Sequence, residues 1–570
     1  MPEEFSVLVD KDVPMKTRDG VVLRSDVYRP VTPGRHPVLL GRTHYGKETW
    51  GRWIEPERTV RRGYVVVVND MRGQFASEGD FDPFVTDVDD SYDVVEWCAA
   101  QPWSDGKVGM FGSSSGGFVQ LLAAVSQAPH LVAIAPMQTW SSFGRGNVYD
   151  PGGGYTMLQW WALLQANTDP EHRLGEDRPD YAELRAGAAR AEHEIARWYR
   201  HLPLCEFPPL PREVAPWYYR WLEHPDDDEH WRALDASAHY DRIRTPALHL
   251  VGWFDRFSVG TLRNYGGILA RGATRQARAH AKLVIGPWPH GVPVRTASGD
   301  RQFGPAASVD ARELVLRWYD HWLKGVDTGM LDEPPVRLYV LGEDVWRDEA
   351  AWPLDRARPT RWYLRSGGRA NTRGGDGALS VEAPGAEPAD SYVYDPADPT
   401  PSVAGAVRRP DGPADQGPVE DRDDVLVFSS PPLDREVEVT GPIVAHLWAS
   451  SSALDTDWVV KVCDVHPDGY VLRLSDGMIR ARYRRSQAEP SPLEPGRVEE
   501  YVIELLPTSN LFRRGHRIRV EVASASFPAF DRNLNTGNPL GADSSGVPAV
   551  QLVHHDAEHP SHVVLPIIPR

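Results

Sequence analysis

Residues 109–118 read GMFGSSSGGF, a turn with three consecutive serines. A nucleophile elbow places its serine on a tight turn between a strand and a helix, and it needs small residues two positions before and two after that serine. Only Ser114 has glycine at both places, Gly112 and Gly116. KVGMF before the turn favours a strand, and SGGFVQLLAAVSQA (115–128) has the spacing of a buried helix. The motif predicts Ser114 as a nucleophile, although a plain flexible turn also fits it when it is taken alone.

Apolar runs alternate with helical stretches around this turn. HPVLLGRTHY, YVVVVND and LVAIAP, between about 36 and 135, are continuous apolar runs, which are typical of a parallel sheet buried on both faces. The rhythm stops from about 140 to 240, where ALLQAN, YAELRAGAARAEHEIARWYRHL and APWYYRWLEH predict an inserted helical region. PALHLVGWF and AKLVIGPW then resume the sheet, and SVDARELVLRWYDHWLKG (308–325) predicts a helix with Leu314, Trp318 and Trp322 stacked on one face.

Past about residue 350 the pattern becomes that of a β-protein. Residues 366–400, rich in Gly, Pro and Asp, are predicted as loop. EVEVTGPIVAHLWASS, DWVVKVCDV and HRIRVEVASASF follow as short runs separated by turns. This spacing indicates an antiparallel sandwich or a jelly roll.

Composition limits the classes of function. A chain of 570 residues is too long for one core and predicts two to four domains. The net charge of -18, without a Lys/Arg stripe, disfavours nucleic acid as a partner. The cysteines Cys98, Cys205 and Cys463 support neither a disulfide framework nor a zinc ribbon, and no signal peptide or membrane span is visible. We therefore expect a cytoplasmic protein that does not bind membranes.

Two further residues complete the chain order of an α/β-hydrolase triad, which is Ser, then Asp or Glu, then His. Asp255 follows the strand ending LVGWF, and His290 follows the strand ending LVIGPW. His290 would accept the Ser114 proton and Asp255 would orient the imidazole. His249 lies inside a predicted strand and is better explained as a core histidine, and His239 lies at the wrong end of that strand.

A tetrahedral intermediate needs hydrogen-bond donors for its oxyanion. The backbone N–H of Ser115 is one donor of the elbow. The second should follow the strand PVLLGRTHY, where Tyr45 is a candidate and its neighbour His44 a competitor. The residues alone leave open whether Tyr45 is a donor or a packing aromatic.

Five runs in this order resemble the CocE/NonD hydrolases, a group that contains bacterial cocaine esterase and is related to X-Pro dipeptidyl peptidases and α-amino acid ester hydrolases. They are GRTHYGKE, DMRGQFASEGDF, WSDGKVGMFGSSSGG, VGWFDRF and IGPWPHG, and the C-terminal pieces FSSPPLDREVEVTGPIVAHLWASS, DTDWVVKVCDV, DGMIRARYR and SFPAFDRNLN are also similar. The likeness runs from about residue 12 to the end of the chain.

The resemblance implies a fold of the α/β class: an α/β-hydrolase core at 1–139 and 242–350, a helical cap at 140–241, and a C-terminal all-β jelly roll at 351–570. It assigns Ser114, Asp255 and His290 to the triad, and Tyr45 with the Ser115 N–H to the oxyanion hole. Members of the family also suggest a homodimer. Two positions depart from the family pattern, because Ser115 stands where Tyr is frequent and Pro289 stands where Ser or Thr is common.

The substrate pocket is the least determined part of the prediction. The resemblance places Phe257 in the acyl pocket, and Trp140, Trp160 and Trp161 of the predicted cap could line a site for an aromatic group, although packing within the core or the cap explains all four equally well. Asp70, Arg72, Ser77 and Glu78 are interpreted as a buried network that fixes the loop beside Tyr45. The acidic run 80–90 is interpreted as the start of a helix, and His193 and Glu194 lack the second histidine of a zinc motif.

The sequence thus predicts a serine hydrolase with no cofactor and no metal, which cleaves a small-molecule carboxylic ester, or as second choice an amide, through an acyl-enzyme. Two alternatives stay open. The same triad also serves an acyltransferase or an amidase, and a chain with a silent triad would be a ligand-binding protein.

Overall fold

The computed structural model describes residues 6–291, 296–403 and 412–570. Residues 7–349 contain strands that begin with a hairpin and continue into a mixed sheet. They are β1 (Val7–Lys16), β2 (Val22–Pro30), β3 (His36–Thr43), β4 (Val65–Asp70), β5 (Ser104–Ser113), β6 (Leu131–Met137), β7 (Leu248–Gly252), β8 (Lys282–Gly286), β9 (Ala297–Ser298), β10 (Arg301–Gln302), β11 (Val336–Val340) and β12 (Val345–Glu349).

The sheet has the order β1-β2-β4-β3-β5-β6-β7-β8-β11-β12. Its strands from β4 to β11 run parallel, whereas β1, β2 and β12 add antiparallel pairs at the two edges. Every residue of β4, β7 and β8 is buried, which explains the continuous apolar runs of the sequence. The parallel arrangement brings the carboxyl ends of β3, β5, β7 and β8 to one edge of the sheet.

Helices cover both faces of this sheet and form the insertion between β6 and β7. They are α1 (Lys47–Trp50), α2 (Pro56–Arg61), α3 (Asp87–Ala100), α4 (Ser115–Ser126), α5 (Gln159–Thr168), α6 (Tyr181–His193), α7 (Ile195–Tyr199), α8 (Pro216–Glu223), α9 (Glu229–Arg232), α10 (Ser258–Arg271), α11 (Arg275–Ala279) and α12 (Ala311–Lys324). The helix predicted over 181–202 is interrupted at Glu194, between α6 and α7. The helix predicted over 308–325 is α12, on which Trp318 is buried and Leu314 and Trp322 are half-buried.

The C-terminal part is a β-structure. Its strands are β13 (Arg358–Arg365), β14 (Ala378–Ser380), β15 (Asp390–Tyr394), β16 (Leu426–Ser429), β17 (Val437–Ser451), β18 (Asp457–Val465), β19 (Val471–Arg480), β20 (Glu499–Phe512), β21 (Arg517–Ala523), β22 (Ala549–His554) and β23 (His562–Ile568). The prediction of loop for 366–400 is wrong at β14 and β15. These short strands form because distant partners pair with them, as β22 does with β15, and composition does not reveal such pairing.

The C-terminal structure packs directly on the α/β part. The amide of Leu341 donates to the Ser509 carbonyl (2.9 Å), and the amide of Leu511 donates back to the Leu341 carbonyl (2.8 Å). It also holds the start of the insertion, since the amide of Asp531 donates to the Tyr155 carbonyl (2.7 Å). No helix in the described ranges is long and apolar enough to cross a membrane.

Candidate active site

Ser114 lies at the junction of β5 and α4, in the geometry that the elbow motif predicts. Its backbone has φ +60° and ψ -120°, a conformation that non-glycine residues rarely adopt. The Ser114 amide donates to the Met137 carbonyl (2.9 Å), and the Thr139 hydroxyl donates to the Ser114 carbonyl (2.8 Å). The end of β6 and the residues after it therefore hold this turn in place.

The two glycines of the motif are required by close packing. A Cβ at Gly112 would lie 2.6 Å from the Trp50 ring and 2.7 Å from the Gly116 carbonyl oxygen, and Gly112 has φ +151°. A Cβ at Gly116 would lie 2.4 Å from the Trp50 ring. Both positions thus exclude a side chain, which is the physical reason for glycine on each side of Ser114.

Asp255 and His290 meet at the same edge of the sheet, after β7 and β8. The Asp255 carboxylate is fully buried, and its Oδ2 lies 3.0 Å from His290 Nδ1. Its Oδ1 accepts the amide hydrogen of Phe257 (2.9 Å), which fixes the carboxylate plane. Because Nδ1 is bonded to Asp255, Nε2 lies on the opposite side of the imidazole. The His290 side chain is 27% exposed, and it lines one cavity together with Ser114.

Tyr45 lines the same cavity from the loop after β3. Its amide donates to the Thr43 hydroxyl (2.9 Å), and its phenol oxygen accepts the indole N–H of Trp161 (2.9 Å). His44, the competing candidate, also lines the cavity and packs against Tyr45 with ring centroids 4.1 Å apart. Burial lowers the pKa of His44 to about 3, so this imidazole is neutral at physiological pH.

A buried ion pair supports the Tyr45 loop, as predicted, but its partner was not found from the sequence. Asp70 accepts from the Lys47 ammonium (2.7 Å) and from the Lys47 amide (2.8 Å), and the Ser77 hydroxyl donates to the Asp70 carbonyl (2.7 Å). Arg72 instead pairs with Asp90 (2.6 Å).

Glu78, which the prediction included in this buried network, is exposed. Lys47 gave no sequence signal because an isolated lysine in an acidic chain is ordinarily exposed.

The four aromatic residues predicted for the substrate pocket, Trp140, Trp160, Trp161 and Phe257, all line the Ser114 cavity, together with Phe84 and Leu158. Trp140 lies directly after β6 rather than on a helix of the insertion, and its ring is 4.9 Å from that of Phe257. Trp140 and Phe257 therefore both pack against each other and line the cavity, so the two explanations offered for them hold together.

The remaining predictions concern residues outside the cavity. His249 is fully buried inside β7, and burial lowers its pKa to about 3, as a core histidine requires. His239 precedes β7 and does not line the Ser114 cavity. The acidic run begins α3, with Asp87 and Asp90 in its first turn.

Among the described residues, two groups of side chains that could ligate a metal ion lie on the C-terminal β-structure. Asp464, His466 and His516 form one, and His554, Asp556 and His559 form the other, with ligand atoms within 4.8 Å of one another in each. Neither group lines the Ser114 cavity. The first group was not visible in the sequence because His516 belongs to a segment about 50 residues after the other two.

Comparison with known proteins identifies relatives over the full chain. Residues 19–292 match the family model for X-Pro dipeptidyl-peptidase (S15 family), and residues 328–564 match the model for the X-Pro dipeptidyl-peptidase C-terminal non-catalytic domain. Cocaine esterase from Rhodococcus sp. (strain MB1 Bresler) is 42% identical, and the match covers 99% of both chains.

Two solved structures also resemble this chain over its full length. An aminopeptidase from the marine sediment archaeon Thaumarchaeota archaeon superposes with a TM-score of 0.82 at 26% identity, covering 100% of this chain and 98% of that one. An α-amino acid ester hydrolase superposes with a TM-score of 0.79 at 27% identity, covering 100% of this chain and 97% of that one.

Proposed function

The chain belongs to the CocE/NonD family of serine hydrolases, and from this membership and the geometry of the cavity we propose that it hydrolyses carboxylic esters with Ser114, His290 and Asp255 as its triad. The observation that carries the assignment is the 3.0 Å contact between buried Asp255 and His290, beside a serine on a left-handed elbow. Two of the relatives, a cocaine esterase and an α-amino acid ester hydrolase, support the proposal of ester hydrolysis.

In the proposed acylation step, His290 Nε2 takes the proton of Ser114 Oγ as this oxygen attacks the substrate carbonyl carbon. Asp255 keeps the proton of the neutral imidazole on Nδ1 and stabilises the imidazolium that forms. The imidazolium then gives its proton to the departing alcohol, and the acyl group stays on Ser114.

The negative charge on the carbonyl oxygen needs two donors in this mechanism. The Ser115 amide belongs to the first residue of α4, where amides have no acceptor within the helix. The Tyr45 hydroxyl is the second donor: since its oxygen already accepts from Trp161, its hydrogen serves as the donor to another atom. Both residues line the cavity that contains Ser114.

Water completes the cycle. His290 removes a proton from a water molecule, which attacks the acyl carbon, and the proton returns to Ser114 Oγ as the acid leaves.

The aromatic lining favours an uncharged, apolar acyl group. Within the described ranges, no residue lining this cavity carries a carboxylate, the group that would bind a free α-ammonium. The cytoplasmic location and the homodimer remain predictions.

The test is the mass of the intact protein after reaction with a fluorophosphonate, followed by peptide mapping. We expect one adduct, on Ser114, that is absent from Ser114→Ala. Ser113→Ala is the matched control, because this neighbouring hydroxyl lacks the elbow position, and it should label like the parent protein. An adduct that persists in Ser114→Ala, or no adduct on the folded protein, would overturn the proposal.

A further inference from the structure

A second cavity meets the Ser114 cavity at His290, which lines both. Its walls come from the start of the insertion, the loop and helix after β7, His290 after β8, and the C-terminal structure, which contributes β19, β20 and the loop after β21. The loop after β7 separates the two cavities, because Phe254 and Arg256 line the second one while Phe257 lines the first.

The proposed mechanism predicts which part of the substrate each cavity would hold. The acyl group must lie beside Ser114 and the oxyanion donors, which all line the first cavity. The leaving group must lie within reach of the His290 proton, and His290 is the catalytic group that the second cavity shares.

The second cavity is rich in guanidinium groups. Among the described residues, four arginines line it, Arg145, Arg256, Arg263 and Arg473, together with two carboxylates, Asp150 and Asp476. Arg263 also pairs with Glu504 (3.3 Å), so four guanidinium groups face three carboxylates. This excess of positive charge occurs in a chain whose net charge is -18. Burial raises the pKa of Asp150 to about 7, so part of the opposing negative charge is neutralised near neutral pH.

Two of these arginines, Arg145 and Arg473, are buried, and Arg145 has no anionic partner among the described residues. Arg145 is 9% exposed; no carboxylate of the described residues lies within 4.0 Å of it, and its Nε and Nη1 donate to no described acceptor. Arg473 is 8% exposed and contacts Asp476 at 3.3 Å and the Gly412 carbonyl at 3.0 Å. A buried cation without an anionic partner is costly, and a carboxylate is the group that a guanidinium binds best.

Arg256 contacts residues that line the Ser114 cavity. One of its guanidinium nitrogens donates to the Asn147 side-chain oxygen (2.9 Å), and the group lies 4.7 Å from the centre of the Phe257 ring. Asn147 and Phe257 both line the Ser114 cavity. A ligand that contacts Arg256 therefore lies next to the acyl site.

We propose that this second cavity, the arginine cavity, is the leaving-group subsite, and that it selects substrates whose leaving group carries a carboxylate. The inference rests on the proposed function, since it takes Ser114 and His290 as the reacting pair. Two leaving groups share the required chemistry: a hydroxy acid, released from an ester, and an amino acid, released from an amide.

The experiment compares matched substrates with one acyl group, such as the phenylacetyl ester of 3-hydroxybenzoate and that of neutral 3-hydroxybenzamide. We expect kcat/KM to be at least about tenfold higher for the carboxylate, a ratio typical of one charge-assisted contact. The phenylacetyl amide of 3-aminobenzoate tests whether the enzyme also releases an amino acid from an amide, in addition to a hydroxy acid from an ester.

Arg256→Gln and Arg473→Gln should each reduce this ratio towards one. Arg485→Gln is the matched control, because Arg485 is exposed, pairs with Glu499 and lies outside the cavity, and it should leave the ratio unchanged. A ratio near one in the parent protein, or a ratio that both cavity variants leave intact, would overturn the proposal. Thermal unfolding of each variant identifies loss of fold.

Binding separates failure of this inference from failure of the proposed function. Calorimetry with 3-hydroxybenzoate, and with 3-hydroxybenzamide as the neutral ligand, needs no turnover. If the protein hydrolyses neither ester and Ser114 takes no fluorophosphonate, the triad proposal fails, but selective binding of the carboxylate that is lost in Arg256→Gln still supports the arginine cavity as a carboxylate-binding site. Equal binding of both ligands contradicts it.

Discussion

Replacing Tyr45 by phenylalanine tests the oxyanion hole through a single atom. The substitution removes the hydroxyl and leaves the ring beside His44 and Trp161 in place. Removal of one preorganised oxyanion donor lowers kcat by about 10²-fold to 10³-fold, or about 3 to 4 kcal/mol of transition-state stabilisation. We expect a loss of this size in kcat, with KM nearly unchanged, because the ground-state carbonyl carries little charge.

The same substitution has a second effect, on stability. Trp161 is 8% exposed, and its indole N–H would lose the phenol oxygen that accepts it at 2.9 Å. An unpaired buried donor costs about 1 to 3 kcal/mol, so Tyr45→Phe should lower the free energy of unfolding by that amount. Tyr149→Phe is the matched control, because the buried Tyr149 hydroxyl donates to the Trp221 carbonyl (2.5 Å) outside the Ser114 cavity.

The assay is hydrolysis of an apolar ester at saturating and at low substrate concentration, together with urea unfolding of both variants. Tyr149→Phe should lose stability but keep kcat, whereas Tyr45→Phe should lose both. The rate of fluorophosphonate labelling should also fall in Tyr45→Phe, since the phosphonyl oxygen uses the same donors. If Tyr45→Phe keeps more than about a third of the parent kcat, Tyr45 is not an oxyanion donor and the reasoning from its bond to Trp161 is wrong.

Three further substitutions distinguish effects on catalysis from effects on folding stability. Asp255→Asn should lower kcat by about 10⁴-fold because the amide no longer selects the Nδ1–H tautomer of His290, while the thermal midpoint stays close to that of the parent; retained activity would contradict the triad. Lys47→Met should lower the free energy of unfolding by about 3 to 5 kcal/mol, measured in urea, because it leaves buried Asp70 without its cation; a change below 1 kcal/mol would show that this pair is not structural. Asp150→Asn should reduce the pH dependence of folding stability, because burial raises the pKa of Asp150 to about 7 in the folded protein. The folded protein then binds this proton more tightly than the unfolded chain, so the loss of folding stability caused by Asp150 grows as pH rises from about 4 to 7 and is constant above. The free energy of unfolding in urea should therefore differ less between pH 5 and pH 8 in the variant than in the parent.

The local motifs of the core could be interpreted from the sequence because each records a short-range constraint. Gly112 and Gly116 are glycines because Trp50 and the elbow backbone occupy the space of a Cβ. The strand and helix on either side of Ser114 follow from runs of residues that are close in the chain. The order of Ser114, Asp255 and His290 places each after a buried strand, and parallel strands end at one edge of the sheet, so their proximity was predictable.

What the chain could not reveal by itself depends on contacts between distant segments. The loop prediction for 366–400 was wrong because β14 and β15 are stabilised by partners elsewhere in the chain. Lys47 was missed because its burial follows from Asp70, which lies on the next strand of the sheet. The expectation that Glu78 belongs to a buried network was wrong for the complementary reason, since no local signal distinguishes a buried carboxylate from an exposed one.

The family, the α/β-hydrolase core followed by a β-structure, and the residues proposed for the triad could all be inferred from the sequence, because these features rest on glycine spacing, strand order and long similar runs. The charged groups that share a cavity with His290 became apparent only in the folded structure. Arg145, Arg256 and Arg473 lie on three separate segments, the insertion, the loop after β7 and β19, and these segments line one cavity because they pack together. Their shared cavity is a property of that packing, and no spacing along the chain encodes it.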